Sequence, residues 1–305
     1  MSDLPVGLRL TTGRSRRLRD LLAGPDFLQV PGAFDCISAR LVDTGGFPAL
    51  YVTGSGVSMS ALGAPDVGML SFAEILDRVK RIADCVGIPV IADADTGYGG
   101  PLNVMRTVRE MERAGVSGIQ IEDQAWPKKC GHEPGRRLVS TAEMVGRIRA
   151  AVDARLDPDT VIIARTDARA SEGLAAAIDR AAAYAGAGAE VLFLESPHSA
   201  EEMRRACAAL SGTAPMLANM VEGGRTPLLP AAELAALGYR LAIWPNALTR
   251  IMARMGGVLL ERLKTDGTTA GMAGSMLDHG GLWALFEHER WYAVEARYGG
   301  PLPNS

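Results

Sequence analysis

Cysteine, histidine and surplus charge are all scarce: four cysteines, four histidines and a net charge of −3 in 305 residues. Each shortage removes a class of protein. Cys36, Cys85, Cys130 and Cys207 are widely scattered, so no disulfide framework is expected, and the thiols read as reduced ones of a cytosolic chain. Without a basic excess there is no electrostatic footprint for nucleic acid. No apolar run approaches the roughly 18 residues that a bilayer span needs, so no membrane partner is expected. Met1–Leu22 carries Arg14, Arg16, Arg17 and Arg19 but no apolar signal core, which predicts a protein that stays in the cytoplasm. Linkers, low-complexity tracts and charge runs are missing too, and residues 1–305 are expected to form a single domain. Hydrophobic residues at 48% and charged ones at 22% are the balance of a globular chain with a well-filled core.

What the chain does contain is a regular alternation. Short apolar runs, almost unbroken by charge, occur at Phe27–Pro31, Ala49–Thr53, Pro89–Asp93, Gly118–Glu122, Val161–Arg165, Val191–Glu195, Met216–Asn219 and Leu241–Trp244. Strands buried on both faces read this way. Amphipathic stretches lie between them, among them Phe72–Val86, Leu102–Ala114, Ala142–Ala154 and Leu174–Ala185. Gly87, Gly115 and Gly186 are placed to stop three of these helices. Eight strand–helix units predict a parallel sheet closed into a (β/α)8 barrel, which uses about 250 residues. Leu248–Lys264 and Leu282–Arg297 are two further helices, more than the last barrel unit needs. With Leu282, Leu285, Phe286 and Trp291 on one face, the surplus could cap the barrel, fold back on it or pack on a neighbouring subunit.

Active sites of such barrels lie at the C-terminal ends of the strands, and the polar residues of this sequence collect there. The ends read Tyr51-Val52-Thr53-Gly54-Ser55-Gly56, Asp93-Ala94-Asp95, Glu122-Asp123, Arg165-Thr166-Asp167, Glu195 and Asn219. Asp93, Asp95 and Glu122, with Asp66 nearby, form a set of hard oxygen ligands suited to Mg²⁺ or Mn²⁺, which keep waters and take further oxygens from substrate. Surface caps and salt bridges are the other reading. A charge directly after Val90-Ile91-Ala92, however, is expensive without a cation. Arg165 fits either a bidentate carboxylate clamp or a structural ion pair. Thr53-Gly54-Ser55-Gly56 offers hydroxyls and backbone N–H groups to a second carboxylate. It lacks the lysine of a phosphate loop and the third glycine of a dinucleotide fingerprint.

The segment Trp126-Pro127-Lys128-Lys129-Cys130-Gly131-His132 is a second constellation. Lys128, Lys129 and His132 favour the Cys130 thiolate and make its sulfur a usable acid or base near neutral pH. Gly131 and Pro134-Gly135 suggest a loop able to close over a site.

On these residues the chain resembles the isocitrate lyase/phosphoenolpyruvate mutase superfamily from about Val30 to Tyr298. Lys128-Lys129-Cys130-Gly131-His132 is similar to the lyase signature; the mutase and phosphonopyruvate hydrolase branches lack its cysteine. Ala92-Asp93-Ala94-Asp95-Thr96-Gly97-Tyr98-Gly99 and Ile121-Glu122-Asp123-Gln124 resemble family blocks. Thr53-Gly54-Ser55 departs from the Ser-Gly-Gly common in lyases but keeps its donors. The resemblance implies a metal-dependent carbon–carbon lyase acting on a small 2-hydroxy dicarboxylate. Asp95 would be the main Mg²⁺ ligand, helped directly or through water by Asp66, Asp93 and Glu122. Arg165, Thr53, Gly54 and Ser55 would hold the part that becomes the 2-keto acid, and Glu195, Asn219 and His132 would complete the pocket. Cys130 would protonate the leaving carbanion, Lys128 and Glu122 would assist, and Tyr51 is the candidate base. A homotetramer of helix-swapped dimers is also implied.

Within the lyase branch, Trp126-Pro127 and Ala218-Asn219-Met220-Val221-Glu222-Gly223-Gly224 resemble most the group of 2,3-dimethylmalate lyases and oxaloacetate hydrolases, which includes the plant petal death protein. The expected reaction is therefore C2–C3 cleavage of a 2,3-dimethylmalate-like substrate. The alternatives are 2-methylisocitrate cleavage to pyruvate and succinate, and oxaloacetate hydrolysis to oxalate and acetate. Oxaloacetate-hydrolysing relatives carry a hydroxyl residue near the position of Ala247, which weakens the last of these.

Overall fold

A computed structural model of the protein describes residues 4–9, 11–129, 131 and 135–299. Eight parallel strands close on themselves in sequence order: β1 (Leu28–Ala33), β2 (Leu50–Val52), β3 (Val90–Asp93), β4 (Gly118–Glu122), β5 (Val161–Thr166), β6 (Val191–Leu194), β7 (Met216–Asn219) and β8 (Leu241–Trp244). β8 pairs with β1 in register Leu28↔Leu241 through Pro31↔Trp244, which completes the (β/α)8 barrel. The eight apolar runs of the sequence are these strands, with bounds shifted by at most two residues. Among the described residues no helix is long and apolar enough to cross a membrane.

The period-2 alternation of each strand sorts its residues into two cores. Leu28, Val30, Ala49, Tyr51, Ile91, Val161, Ile163, Val191, Phe193, Leu217, Leu241 and Ile243 fill the barrel interior, and Leu18 plugs its lower end from helix Arg14–Ala23. Leu50, Val90, Ala92, Ile119, Ile121, Ile162, Leu192 and Ala218 face the surrounding helices. Continuing the inward parity upward leads to Thr53, Asp93, Glu122, Arg165, Glu195 and Asn219. The strand pattern that builds the core therefore also aims six polar side chains at one mouth.

Helix starts are written in the sequence. Ser71, Ser140 and Ser199 each accept a hydrogen bond from the N–H three residues on, a cap worth about 1 kcal/mol. Stops are less regular. Gly115 is left-handed (φ +88°) after Ala114 caps its helix, but Cys85 caps the helix before Gly87, and Gly186 is the last residue of helix Leu174–Gly186. Thr53-Gly54-Ser55-Gly56 starts helix Gly54–Leu62, with Thr53 Oγ1 accepting from Gly56 N–H at 3.3 Å. The stretch Leu282–Arg297 is two helices, His279–Leu285 and His288–Gly299. Glu287 breaks it in a left-handed conformation (φ +57°), its carboxylate accepting from Val6 N–H at 2.7 Å and from Arg9 at 3.3 Å.

Candidate active site

One cavity of about 730 Å³ opens at the C-terminal mouth of the barrel. Tyr51, Thr53, Ser55, Asp66, Asp93, Lys128, Arg165, Glu195 and Asn219, nine of the residues singled out in the sequence, line it. Gly54 stands behind Asp93: a Cβ on it would come within 3.0 Å of Asp93 Oδ2. Glu122 lies under the rim, in register with Arg165 and 3.4 Å from its Nε. Cys130 and His132 lie outside the described residues. Their neighbours Lys129 and Gly131 both line the cavity.

On one side is a carboxylate cluster. Lys128 reaches in from its loop and sets its ammonium 2.6 Å from Asp66 Oδ1 and 2.5 Å from Asp95 Oδ1. Burial disfavours charge on Lys128, yet Asp95 and Asp66 more than offset this and hold it protonated, well above its usual pKa. Asp95, on a left-handed residue (φ +47°), is pushed up to about 6 by burial; Lys128 opposes the shift, while Asp93 and Asp66 add to it. Burial raises Glu122 well above the carboxylate range, and its Oε1 has no hydrogen-bond donor. Asp66 and Asp95 thus share one ammonium, with Asp93 close by and Glu122 beside Arg165, an excess of negative charge that a divalent cation would correct. Among the described residues no three ligands converge on one point, and Lys128 lies between Asp66 and Asp95. An all-oxygen donor set that leaves room for waters still fits Mg²⁺ or Mn²⁺, which need only one or two carboxylates directly.

On the other side Arg165 is anchored through its whole fork. Its Nε and one Nη each donate to Asp167 at 3.0 Å, the same Nη lies 3.2 Å from Glu195 Oε2, and the guanidinium stacks over Phe193, 5.0 Å from the ring centre. Arg165 is thus the structural ion pair of the second reading made from sequence, and its side chain also lines the cavity. Asn219 donates to Glu195 Oε2 at 3.0 Å, while its own Oδ1 is buried without a donor. Thr53 and Ser55, at the start of helix Gly54–Leu62, line the same cavity, and a helix N-terminus favours an anion.

Sequence reasoning missed several contributors. Gln120, fully buried in β4, accepts the Tyr51 hydroxyl proton at 2.7 Å and donates to Asp93 Oδ1 at 3.1 Å. Its signal was available: it sits two residues before Glu122, on the same inward parity. Burial, and then Asp93, raise the Tyr51 phenol well above its usual pKa. Arg136 bonds to both the Gly131 carbonyl and Asp167; nothing in the local pattern marks it. Asp123, outward beside inward Glu122, accepts from Thr166 at 2.7 Å, Tyr184 at 2.8 Å and the Asp167 N–H at 2.9 Å, fixing the end of β5. After β8 the wall is Pro245 and Asn246, with Arg250 further out.

A model of the phosphoenolpyruvate phosphomutase family matches residues 18–262. The chain is 49% identical over 282 residues to a 2,3-dimethylmalate lyase of Eubacterium barkeri, covering 92% of this chain and 97% of that one. A probable 2-methylisocitrate lyase of Corynebacterium glutamicum is 40% identical over 284 residues, at 93% and 92% coverage. Among solved structures, an oxaloacetate acetylhydrolase in complex with the inhibitor 3,3-difluorooxalacetate superposes with a TM-score of 0.90 at 37% identity, covering 98% of this chain and all of that one.

Proposed function

The chain belongs to the phosphoenolpyruvate phosphomutase family, and within it we propose a carbon–carbon lyase that splits a 2,3-dimethylmalate-like 2-hydroxy dicarboxylate into pyruvate and a second carboxylate. One observation carries this: Asp66 and Asp93 of the acid cluster, Arg165, and the residues on either side of Cys130 in the chain, Lys129 and Gly131, line the same cavity. This supports a metal site and a carboxylate clamp in one substrate-sized space, with the chain neighbours of Cys130 on its wall.

We assign the division of labour as follows. Arg165, with Thr53, Ser55 and the N–H of Gly54, holds the carboxylate and oxygen of the 2-hydroxy acid end. Asp95, with Asp66, Asp93 and Glu122, would hold Mg²⁺ or Mn²⁺, directly or through water. A cation bound there supplies Lewis acidity that lowers the pKa of the 2-hydroxyl. Tyr51 is the candidate base; burial and then Asp93 keep its phenol protonated, and a cation beside Asp93 would relieve the second of these. Once that proton is lost, the C2–C3 electron pair passes to the departing fragment, leaving a 2-keto acid and a carboxylate-stabilised carbanion. Cys130 gives the carbanion its proton, with His132 beside it in the loop, while Lys128 holds Asp66 and Asp95 together. Glu195 and Asn219 close the far wall.

A second reading, 2-methylisocitrate cleavage, is favoured by the cavity's room and by Arg250 and Lys129 on its wall, cations suited to a third carboxylate. The outer face of helix Ala247–Asp266, with Ile251, Met252, Met255, Leu260 and Leu263 exposed, and Trp283, Phe286 and Trp291 beyond it support assembly into a homotetramer of helix-swapped dimers. Light scattering on the purified chain tests this. Activity is tested by supplying Mg²⁺ with 2,3-dimethylmalate, 2-methylisocitrate and oxaloacetate and measuring pyruvate against oxalate. Pyruvate from the first, faster than from the second, supports the proposal. Oxalate alone moves the chain to the hydrolases, and no product from any of them removes the lyase assignment.

A further inference from the structure

Gln120 is an amide sealed inside the barrel with both of its polar atoms in use. Its Nε2 donates to Asp93 Oδ1 at 3.1 Å, across the β3–β4 ladder where the two residues are register partners. Its Oε1 accepts the Tyr51 hydroxyl proton at 2.7 Å. The direction of both bonds is fixed by what each group can do. A carboxylate has only acceptors, so Asp93 turns the amide NH2 toward itself and leaves the amide carbonyl for Tyr51. Asp93 cannot readily turn away, because the same Oδ1 also accepts the Asp95 N–H at 3.0 Å. Tyr51 has one proton and Gln120 takes it, so the phenol oxygen shows only lone pairs to the cavity it lines. A ligand oxygen placed there binds well if it carries hydrogen. If it does not, two acceptors face each other in a buried site.

We infer that Gln120 is a positioning residue for substrate class: acting through Tyr51, it makes the site favour a 2-hydroxy acid over the 2-oxo acid of the same skeleton. The inference rests on reading the cavity as the lyase site. It separates substrate from product, since cleavage converts the hydroxyl carbon into the carbonyl carbon of the 2-keto acid. In the resting state, with the Tyr51 proton directed at Gln120, the site therefore grips an oxygen that is a donor and disfavours one that is only an acceptor. Facing acceptors weaken binding by roughly 5- to 150-fold.

The test compares lactate with pyruvate, an alcohol and ketone of one skeleton that the cleavage reaction does not consume. Calorimetric Kd values would be measured on the full chain with Mg²⁺. A bound metal has its own preference between the two oxygens, so the readout is the change in the pyruvate-to-lactate affinity ratio. Gln120→Met keeps the length and removes both bonds, freeing the Tyr51 proton to turn outward. The ratio should shift toward pyruvate by about tenfold or more. In a Tyr51→Phe background the same substitution should change it less than about twofold. Equal weakening of both ligands by Gln120→Met, with the ratio unmoved, makes Gln120 a merely structural residue and overturns the inference alone. If Gln120→Met does not fold, Tyr51→Phe decides: lactate affinity should fall about fivefold or more with pyruvate affinity retained, and equal losses overturn the inference. Failure of the wild type to bind either acid overturns the lyase reading, and this inference with it.

Discussion

Replacing Arg165 by lysine (Arg165→Lys) keeps the charge at the end of β5 and removes the fork. The guanidinium now serves three acids at once, bonding Asp167 twice at 3.0 Å and lying 3.2 Å from Glu195 and 3.4 Å from Glu122. A single ammonium still offsets the buried charge, so the severe penalty of an uncompensated ion, about 3–5 kcal/mol, is avoided. What goes is one of the two charge-assisted bonds that a fork makes to a carboxylate, worth about 1.5–3 kcal/mol. At about 1.4 kcal/mol per factor of ten, kcat/KM should fall roughly 10- to 150-fold. Because carboxylate binding is shared by ground and transition states, most of the loss should appear as a higher KM. Steady-state kinetics with 2,3-dimethylmalate, alongside a thermal melt to show that the variant is folded, measures this. A folded Arg165→Lys protein with kcat/KM within about twofold of wild type would refute the clamp.

Gly131→Ala would place a Cβ inside contact distance of the Arg165 guanidinium and 2.8 Å from Glu195 Cδ; kcat should drop by about tenfold or more while the melting temperature changes little. Mg²⁺ at about 100 times its Kd should stabilise the protein by about 2.7 kcal/mol, and Asp95→Asn should abolish most of the shift seen in calorimetric melts. Away from the site, Arg169 holds the Glu202 carboxyl down to about 2 from its usual 4.5. An acid with a depressed folded pKa adds stability that is complete above its unfolded pKa and is lost as the pH falls toward the folded one. Urea midpoints of wild type and Glu202→Gln should therefore differ at about pH 7 and converge as pH falls from 4.5 toward 2.

Much of this molecule was legible in its sequence because two periodicities carry it. Runs such as Val90–Asp93 and Val161–Thr166 need no tertiary knowledge to be read as doubly buried strands, and their inward parity ends on Asp93 and Arg165. The family blocks around Asp95, Glu122 and Lys128 then add roles that spacing alone leaves open. Other features depend on distant partners. Glu287 breaks a helix because Val6 and Arg9, some 280 residues earlier, hold its carboxylate. Helix Gly54–Leu62 was not read from the sequence because its two glycines are poor helix formers, and the cap by Thr53 starts it all the same. Gln120 was missed because an amide among isoleucines carries no charge to draw notice, and Arg136 because its partners are Asp167 and a backbone carbonyl.

The reaction itself is tested most directly by proton NMR of 2,3-dimethylmalate turned over with Mg²⁺ in D2O. Pyruvate should form with one equivalent of propionate carrying a single deuterium at C2, where the carbanion is quenched, and Cys130→Ser should suppress both products together. Pyruvate formed at an undiminished rate by Cys130→Ser would contradict the role of the thiol. Absence of pyruvate from the wild type would contradict the lyase itself.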